Sequence, residues 1–269
     1  MKNGFVYVAT GLGYIDEARV SAKSLRTAMP SAHITLITDV SASADTLFDC
    51  VILRTDITHS PADKLLAPLA PYEKCILIDT DTHVCGDITD IFELLDSFDI
   101  AATHEHQRGW DYTLPGVPLA FSEYSTGLIA FKNDGNLSLF FSEWKNNYEK
   151  LKAEKNVKAD QPSFRWTLFH SKLRIATLPS EYHFISFWPS YIMWKALVVH
   201  GRGNLREIAV EVNAKPGTRV FVPNLGVIEC YRGRKHWIKQ LARITYRGIR
   251  TLFHTPIDSS KLNPSQYWK

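Results

Sequence analysis

The stretch Lys74–Thr82, which reads KCILIDTDT, decides the class of fold. Cys75 to Ile78 form a continuous apolar run, which is typical of a central strand covered on both faces. The run ends directly in Asp79-Thr80-Asp81. In an open α/β sheet the ligand crevice lies at the carboxyl ends of the strands. The two aspartates are therefore predicted to stand at a functional edge of the sheet.

The residues on the amino-terminal side of this stretch alternate between strand and helix patterns. FVYVAT, residues 5–10, is β-branched and aromatic, and the Gly11-Leu12-Gly13 loop ends it. Residues 16–29 then carry apolar side chains at helical spacing, and HITLIT, residues 33–38, reads as the next strand. This alternation predicts an α/β fold with a mostly parallel central sheet flanked by helices.

Three further segments complete the expected domain. Residues 136–154 carry an apolar stripe on one face of a helix, and Asp160 and Pro162 resemble a helix start with Asp160 as its cap. The segment 231–253 is different, because it contains seven arginines and lysines, no carboxylate, and a stripe formed by Trp237, Leu241, Ile244 and Leu252. We expect a catalytic domain over residues 1–225 and a basic amphipathic extension over 226–269.

The composition of the chain limits the partners and the cellular compartment that we expect for it. The chain has 269 residues, 45% of them hydrophobic, and a net charge of only +3, so nucleic acid is not expected as a partner. The four cysteines include no C-x-x-C pair, which favours free thiols in a reducing compartment. No secretory leader and no apolar run of spanning length is apparent. A cytoplasmic protein is expected, either free or peripheral on the inner face of the membrane.

The Asp79-x-Asp81 pattern has several chemical interpretations. Two carboxylates at a sheet edge suit Mg²⁺ or Mn²⁺ bound to a diphosphate. The two aspartates could also have a purely structural role as turn-forming residues. A further alternative is a haloacid-dehalogenase-like phosphatase, in which the first aspartate attacks phosphorus and the second is the general acid. The phosphatase would need a later acidic pair, which is missing after Asp99. A nucleotidyltransferase would need a basic Gly-rich loop, and Gly11-Leu12-Gly13 has no basic neighbour before Arg19.

Five motifs in one order resemble the retaining family 8 glycosyltransferases, the GT-A fold group that includes glycogenin and bacterial lipopolysaccharide galactosyl- and glucosyltransferases. The resemblance runs from Phe5 to about Gly203. It rests on five stretches: FVYVAT followed by Tyr14 and the SAKSL helix; Asp63-Lys64-Leu65 before the DTDT block; Ser125-Thr126-Gly127; Asp160-Gln161; and Val199-His200-Gly201.

The resemblance implies a set of site residues. Asp79, Asp81 and His200 would bind Mn²⁺ or Mg²⁺, and Asp160 and Gln161 would be the catalytic pair near the anomeric carbon. The nucleotide-sugar would be bound by Val8, Ala9, Thr10, Gly11, Tyr14, Lys64, Asp79, Thr80, Ser125, Thr126, Gly127 and Arg202. Retention would proceed through a covalent sugar-carboxylate intermediate or by same-face attack.

The chain also departs from the family pattern. Ser125 stands where the family has Asn, and His200-Gly201-Arg202-Gly203 is shorter than the family turn and lacks its phosphate-binding lysine. Acceptor recognition is expected from the loop 104–123, whose side chains suit sugar stacking and hydroxyl binding: His104, Glu105, His106, Trp110, Asp111 and Tyr112.

The expected function is transfer of a hexose from a UDP-sugar to a glycan or a lipid-linked, lipopolysaccharide-type acceptor. For the basic segment 232–253, the alternatives are an interfacial helix on an anionic membrane surface and a helix packed on the body with its basic face in solvent. The alternative to an enzyme is a non-catalytic nucleotide-sugar or glycan-binding protein of the same fold.

Overall fold

The computed structural model describes residues 2–40, 46–105, 114–215, 217–230 and 234–253. The strands in these ranges are β1 (Asn3–Val8), β2 (Ile34–Thr38), β3 (Cys50–Leu53), β4 (Lys74–Ile78), β5 (Thr82–Val84), β6 (Ile100–His104), β7 (Tyr124–Lys132), β8 (Ile175–Leu178), β9 (Phe184–Ile185), β10 (Ser190–Ile192), β11 (Val198–His200), β12 (Arg219–Val222) and β13 (Gly226–Glu229).

The helices surround these strands. They are α1 (Leu12–Ala28), α2 (Ile91–Leu94), α3 (Gly135–Lys155), α4 (Gln161–His170), α5 (Leu205–Asn213) and α6 (Arg234–Phe253), together with short 3₁₀ helices at Pro61–Leu69 and Ser180–Tyr182. Each segment that the sequence assigned to α1, α3 and α4 is helical in the structure.

The central sheet has seven strands in the order β3-β2-β1-β4-β7-β6-β8. Neighbouring strands are parallel except where β7 runs antiparallel to both β4 and β6. The prediction of a mostly parallel sheet is confirmed. β4 lies inside this sheet, and its side chains alternate between two cores, with Ile76 on the α1 side and Leu77 on the α3 side. This explains why the strand is apolar at consecutive positions.

The helix α3 begins and ends at recognisable signals. The Asp134 side chain accepts hydrogen bonds from the backbone N–H groups of Asn136 and Leu137, and Asn156 ends the helix in the left-handed conformation. Its apolar stripe is buried as predicted, and the Trp144 indole donates to the Ser163 hydroxyl of α4. α3 therefore holds the start of α4 in place.

Two small sheets lie beyond the central one. In the first, β11 pairs antiparallel with β5 and parallel with β9, which places His200 opposite Thr82. In the second, β12 pairs with β10 and β13. The sequence patterns did not indicate this second sheet, whose strands have only three or four residues. The division of the chain at residue 225 thus falls between the paired strands β12 and β13.

The last helix, α6, packs against the edge of β13 through polar side chains. Gln240 donates to the backbone oxygen of Glu229 and accepts from its N–H, and Arg243 and Arg247 donate to the backbone oxygens of Val227 and Leu225. These residues recur along the helix at the spacing of one face, and they meet Glu229 and Val227 of the strand and Leu225 directly before it. They satisfy backbone groups that an edge strand leaves unpaired.

The packing of α6 differs from one of the two alternatives for the basic segment, in which the helix packs on the body with its basic face in solvent. Part of its basic face is turned inward, since Arg243 and Arg247 bind the body of the domain. Trp237 and Leu241, half of the predicted apolar stripe, are exposed. The reason is that an unpaired strand edge offers polar partners, not apolar surface. Of the helices in the described ranges, none combines the length and apolar character needed to cross a membrane.

Candidate active site

A cavity of about 820 Å³ opens at the carboxyl ends of β1 and β4. Most of the side chains that the sequence assigned to the site line it. They are Val8, Thr10, Tyr14, Lys64, Asp79, Thr80, Asp81, Ser125, Thr126, Gly127, Asp160, Gln161, His200 and Arg202. Segments that lie far apart in the chain therefore converge on one site, in the crevice that an open α/β sheet forms at the carboxyl ends of its strands.

Two of the expected nucleotide-binding residues do not line this cavity. Ala9 is fully buried in the core, and its backbone N–H donates to the Ile37 oxygen, which continues the ladder between β1 and β2. Gly11 donates its N–H to the Asp39 carboxylate and has a φ of 85°, a conformation that favours glycine. Both residues shape the turn that carries Thr10 and Tyr14.

The acidic motif and a histidine form a group suited to a metal ion. One ligand atom from each of Asp79, Asp81 and His200 lies within 4.8 Å of the others. Asp79 and Asp81 follow β4, while His200 ends β11, and the Gly201 N–H donates to the backbone oxygen of Asp81. Two carboxylates and an imidazole are a donor set that suits Mn²⁺ or Mg²⁺.

The charges in this group are strongly coupled. Burial raises the pKa of Asp79, although Lys64 opposes the effect. Burial also acts to raise the pKa of Asp81, but His200 and Arg202 outweigh it and hold the pKa well below its usual range. For His200, the Asp81 carboxylate outweighs burial and raises the pKa of the imidazole. A divalent cation would relieve the repulsion between the two partly buried carboxylates.

Lys64 links the metal group to the catalytic pair that the resemblance implies. Its Nζ atom lies 3.0 Å from Asp79 Oδ1 and 3.4 Å from Asp160 Oδ2. Burial alone would lower the pKa of this ammonium, but the two carboxylates outweigh it and raise the pKa. Lys64 thus remains protonated and is a fixed positive charge inside the cavity.

The segment that carries Lys64 is held by its neighbour in the chain. The Asp63 carboxylate is buried and accepts hydrogen bonds from the Thr10 hydroxyl and from the N–H and hydroxyl of Thr58. It therefore ties the end of β1 to the 3₁₀ helix Pro61–Leu69, and fixes Lys64 relative to the predicted nucleotide-binding turn.

Asp160 and Gln161 stand at the start of α4. Asp160 occupies the position before the first helical residue, but its side chain makes no capping hydrogen bond. The expectation that it caps the helix is therefore wrong, because its carboxylate is paired with Lys64 inside the cavity. The Gln161 amide donates to Glu105 Oε2 at 3.2 Å.

Gly127 allows two histidines to stack behind the metal group. A Cβ atom on Gly127 would lie 2.8 Å from His183 Nε2 and 2.8 Å from His200 Cε1. The His183 and His200 rings are 4.8 Å apart at their centroids and inclined by 27°. Burial lowers the pKa of His183 well below its usual value, so this ring is neutral. No pattern in the sequence marks His183, which becomes visible only through this packing.

The expected acceptor loop is described in part. His104 ends β6 and packs edge-on against Tyr124, and Glu105 lines the cavity. His106, Trp110, Asp111 and Tyr112 lie outside the described residues. The cavity is also lined by residues that the sequence patterns did not single out: Phe187, Trp188, Glu207, Ile208, Phe221 and Asn224.

Comparisons with known proteins show which solved structures have a similar fold. Neither a protein-family model nor a curated protein matches the sequence. Among solved structures, the galactosyltransferase LgtC in complex with donor and acceptor sugar analogues is similar at a TM-score of 0.53 and 14% identity, over 96% of this chain and 99% of that one.

Two other solved glycosyltransferase structures are also similar to this chain. The glycosyltransferase GlyE of Streptococcus pneumoniae has a TM-score of 0.53 and 15% identity, with 96% of this chain and 66% of that one covered. Mouse xyloside xylosyltransferase 1 has a TM-score of 0.51 and 13% identity, with 76% and 99% covered. The chain therefore has the α/β fold of the GT-A glycosyltransferases, with the Asp79-x-Asp81 group at the carboxyl end of its central strand.

Proposed function

We propose that this protein is a metal-dependent retaining glycosyltransferase of the family 8 type, which transfers a hexose from a UDP-sugar to a glycan or lipid-linked acceptor. One observation carries the proposal. On a GT-A fold, the ligand atoms of Asp79, Asp81 and His200 converge within 4.8 Å in the same cavity that holds the Lys64–Asp160 ion pair.

The residues divide into roles that their chemistry permits. Asp79, Asp81 and His200 would hold Mn²⁺ or Mg²⁺, which when bound neutralises negative charge on the diphosphate leaving group. Val8, Thr10 and Tyr14 line the nucleotide end, where Ala9 and Gly11 set the turn. Lys64 and Arg202 supply positive charge on two sides of the metal group, and Ser125, Thr126 and Gly127 line the wall beside the donor sugar.

Asp160 and Gln161 face the donor sugar in this proposal. Asp160 is buried, and its carboxyl group lies 3.4 Å from the Lys64 Nζ atom inside the cavity. A carboxylate there can form a bond to the anomeric carbon as the bond from that carbon to the UDP oxygen breaks and UDP leaves, or it can stabilise a positively charged sugar during same-face attack. The Gln161 amide, held by Glu105, offers a neutral polar group on the same side.

Isothermal titration of UDP into the purified protein tests this function. We expect UDP binding with Mn²⁺ or Mg²⁺ and its loss with a chelator. Asp79→Asn combined with Asp81→Asn should abolish metal-dependent binding and transfer from a UDP-sugar. The matched control is Asp87→Asn, an exposed carboxylate that accepts hydrogen bonds from the N–H and hydroxyl of Thr89 in its own turn.

The outcomes separate the alternatives. UDP-sugar binding by the wild type without turnover, on any glycan acceptor or water, would indicate a binding protein of the same fold. Phosphate release from phosphate monoesters in place of UDP binding would indicate the phosphatase. Metal-dependent UDP binding followed by hydrolysis or transfer of one UDP-sugar supports the proposal.

The exposed face of α6 favours a membrane-bound acceptor. Trp237, Ile238 and Leu241 are each more than half exposed, although they are large and apolar. Lys239 lies among them and is exposed, and the segment contains no carboxylate between residues 231 and 253. An apolar face with a tryptophan and basic neighbours is suited to an anionic lipid surface. We therefore place the protein peripherally on the inner face of a membrane.

Vesicle co-sedimentation tests this placement. We expect the protein to bind vesicles that contain about 30% anionic lipid, and we expect this binding to weaken at high salt. Trp237→Ser with Leu241→Ser should reduce it. Leu139→Ser is the matched control, because Leu139 is equally exposed on α3. Equal binding to neutral vesicles, or an unchanged double variant, would contradict the placement.

A further inference from the structure

Glu17 on α1 makes two contacts at the edge of the metal group, and no motif in the sequence marked it. Its Oε2 accepts a hydrogen bond from the Thr80 hydroxyl at 2.9 Å. Its Oε1 accepts one from Arg202 Nη1 at 2.5 Å. One carboxylate therefore joins the middle residue of the Asp79-Thr80-Asp81 motif to the turn that follows His200.

The helix holds Glu17 firmly at this position. Glu17, Ser21 and Ser24 recur at the spacing of one helix face. Ser21 Oγ lies 2.6 Å from the Thr82 hydroxyl, and Ser24 Oγ accepts from the Val84 N–H at 2.8 Å. One face of α1 thus meets alternate residues 80, 82 and 84. Because Ser21 and Ser24 are buried, the side chain of Glu17 is anchored on a rigid element.

Arg202 lies between Glu17 and a member of the metal group. Its Nε atom is 3.3 Å from Asp81 Oδ2, and its Nη1 atom bonds Glu17. Asp81 is assigned to the metal, and a carboxylate that ligates a divalent cation attracts a neighbouring guanidinium less strongly. Glu17 lies outside the metal group. Its ion pair with Arg202 therefore does not depend on whether Asp81 ligates a metal ion.

We propose that Glu17 is a positioning residue that keeps the Arg202 guanidinium at the cavity beside the metal group, where it binds the diphosphate of the donor. Arg202 lines the cavity. The turn His200-Gly201-Arg202-Gly203 lacks the lysine that the family pattern places there, and Arg202 supplies the missing cation. This inference rests on the proposed function, because it needs a nucleoside diphosphate in the cavity.

A double-mutant cycle in nucleotide binding tests the role. UDP and UMP are titrated, each with Mn²⁺, into the wild type, Glu17→Gln, Arg202→Gln and the double variant. Glutamine keeps an acceptor for Thr80 but removes the charge that holds Arg202. We expect Glu17→Gln to weaken UDP binding by about tenfold, the value of one charge-assisted hydrogen bond, and to leave UMP binding nearly unchanged.

The cycle should be non-additive. In the Arg202→Gln background, Glu17→Gln should have no further effect on UDP affinity, since the guanidinium that it positions is gone. The matched control is Asp16→Asn, which removes the same charge from the neighbouring residue, whose side chain is 72% exposed and paired with Arg19. Melting temperatures of all variants check that the fold is retained.

Three results would overturn the inference. They are UDP affinity unchanged or increased in Glu17→Gln, equal losses for UDP and UMP, and additive losses in the double variant. If the wild type itself binds no UDP with metal, the proposed function fails first. If the wild type binds UDP and Glu17→Gln behaves like Asp16→Asn, only the role of Glu17 fails.

Discussion

The Lys64 ammonium lies 3.4 Å from the Asp160 carboxylate inside the cavity, where Asp160 is buried and the Lys64 side chain is 14% exposed. The pair connects the metal group, through the second contact of Lys64 with Asp79, to the residue expected beside the anomeric carbon. One cation therefore faces two carboxylates with different roles. Removing it changes the electrostatics of both.

Replacing Lys64 by Met should lower turnover of the UDP-sugar roughly 100-fold, the usual loss when a positioned charge that stabilises a leaving group is removed. The variant should also melt at a lower temperature, because Asp79 and Asp160 would be left buried without their cation. Lys152→Met is the control, since Lys152 is half exposed and its pair with Glu149 contributes little. Wild-type turnover in Lys64→Met would contradict the role of Lys64.

Gly127→Ala should weaken metal binding and lower activity by at least about tenfold. The added methyl group would meet both stacked histidines at 2.8 Å and push His200 away from Asp81. Calorimetric titration of Mn²⁺ measures the effect directly. Gly135→Ala on α3 serves for comparison, because a Cβ there meets no atom within 4 Å. Identical Mn²⁺ affinities in the two variants would show that the histidine stack tolerates displacement.

Glu181 should make stability depend on pH in the acid range. Its carboxylate accepts the N–H groups of Met193 and Trp194, and these bonds outweigh burial and hold its pKa below its ordinary value of 4.5. A group with a lowered pKa stabilises the fold above the unfolded pKa, and the contribution is lost as pH falls through the folded pKa.

The corresponding variant is Glu181→Gln. Urea unfolding at pH 7 should show the variant to be less stable than the wild type by about 1–2 kcal/mol. This difference in the free energy of unfolding should shrink as the pH falls through the pKa of Glu181 in the folded protein, which lies below 4.5. Glu149→Gln, at a half-exposed position on α3, should show no such trend. A difference that stays constant down to pH 3 would mean that the charge of Glu181 is not what stabilises this region.

Gln240→Ala should loosen α6 from the domain. The substitution leaves the N–H and the oxygen of Glu229 without their side-chain partners, at a cost of about 1–3 kcal/mol. Hydrogen exchange at residues 226–229 and 237–249 should accelerate, while exchange in β4 stays unchanged. Lys239→Ala, one position away and exposed, is the control. Equal protection in both variants would show that the other contacts of α6, among them those of Arg243 and Arg247, suffice to dock it.

Much of the central fold was predictable because its signals are local. The apolar runs of β1, β2 and β4 and the stripe of α3 depend on residues close together in the chain, and each appears in the structure where the pattern indicated it. The short strands β10, β12 and β13 escaped detection, because three or four residues carry too little periodicity to be recognised. Asp160 was predicted as a cap because its position fits one, whereas Lys64 pairs with its side chain instead.

The sequence by itself determined that strands end in Asp79-Thr80-Asp81 and in His200, and that Lys64 and Asp160 occur in segments with a recognisable order. Only the tertiary structure decided how these groups meet. The pairing of β11 with β5 brings His200 to Asp81, and the packing of α3 on α4 brings Asp160 to Lys64. Glu17 and His183 had no signal in the chain, because their roles arise from contacts with Arg202 and His200 across the fold.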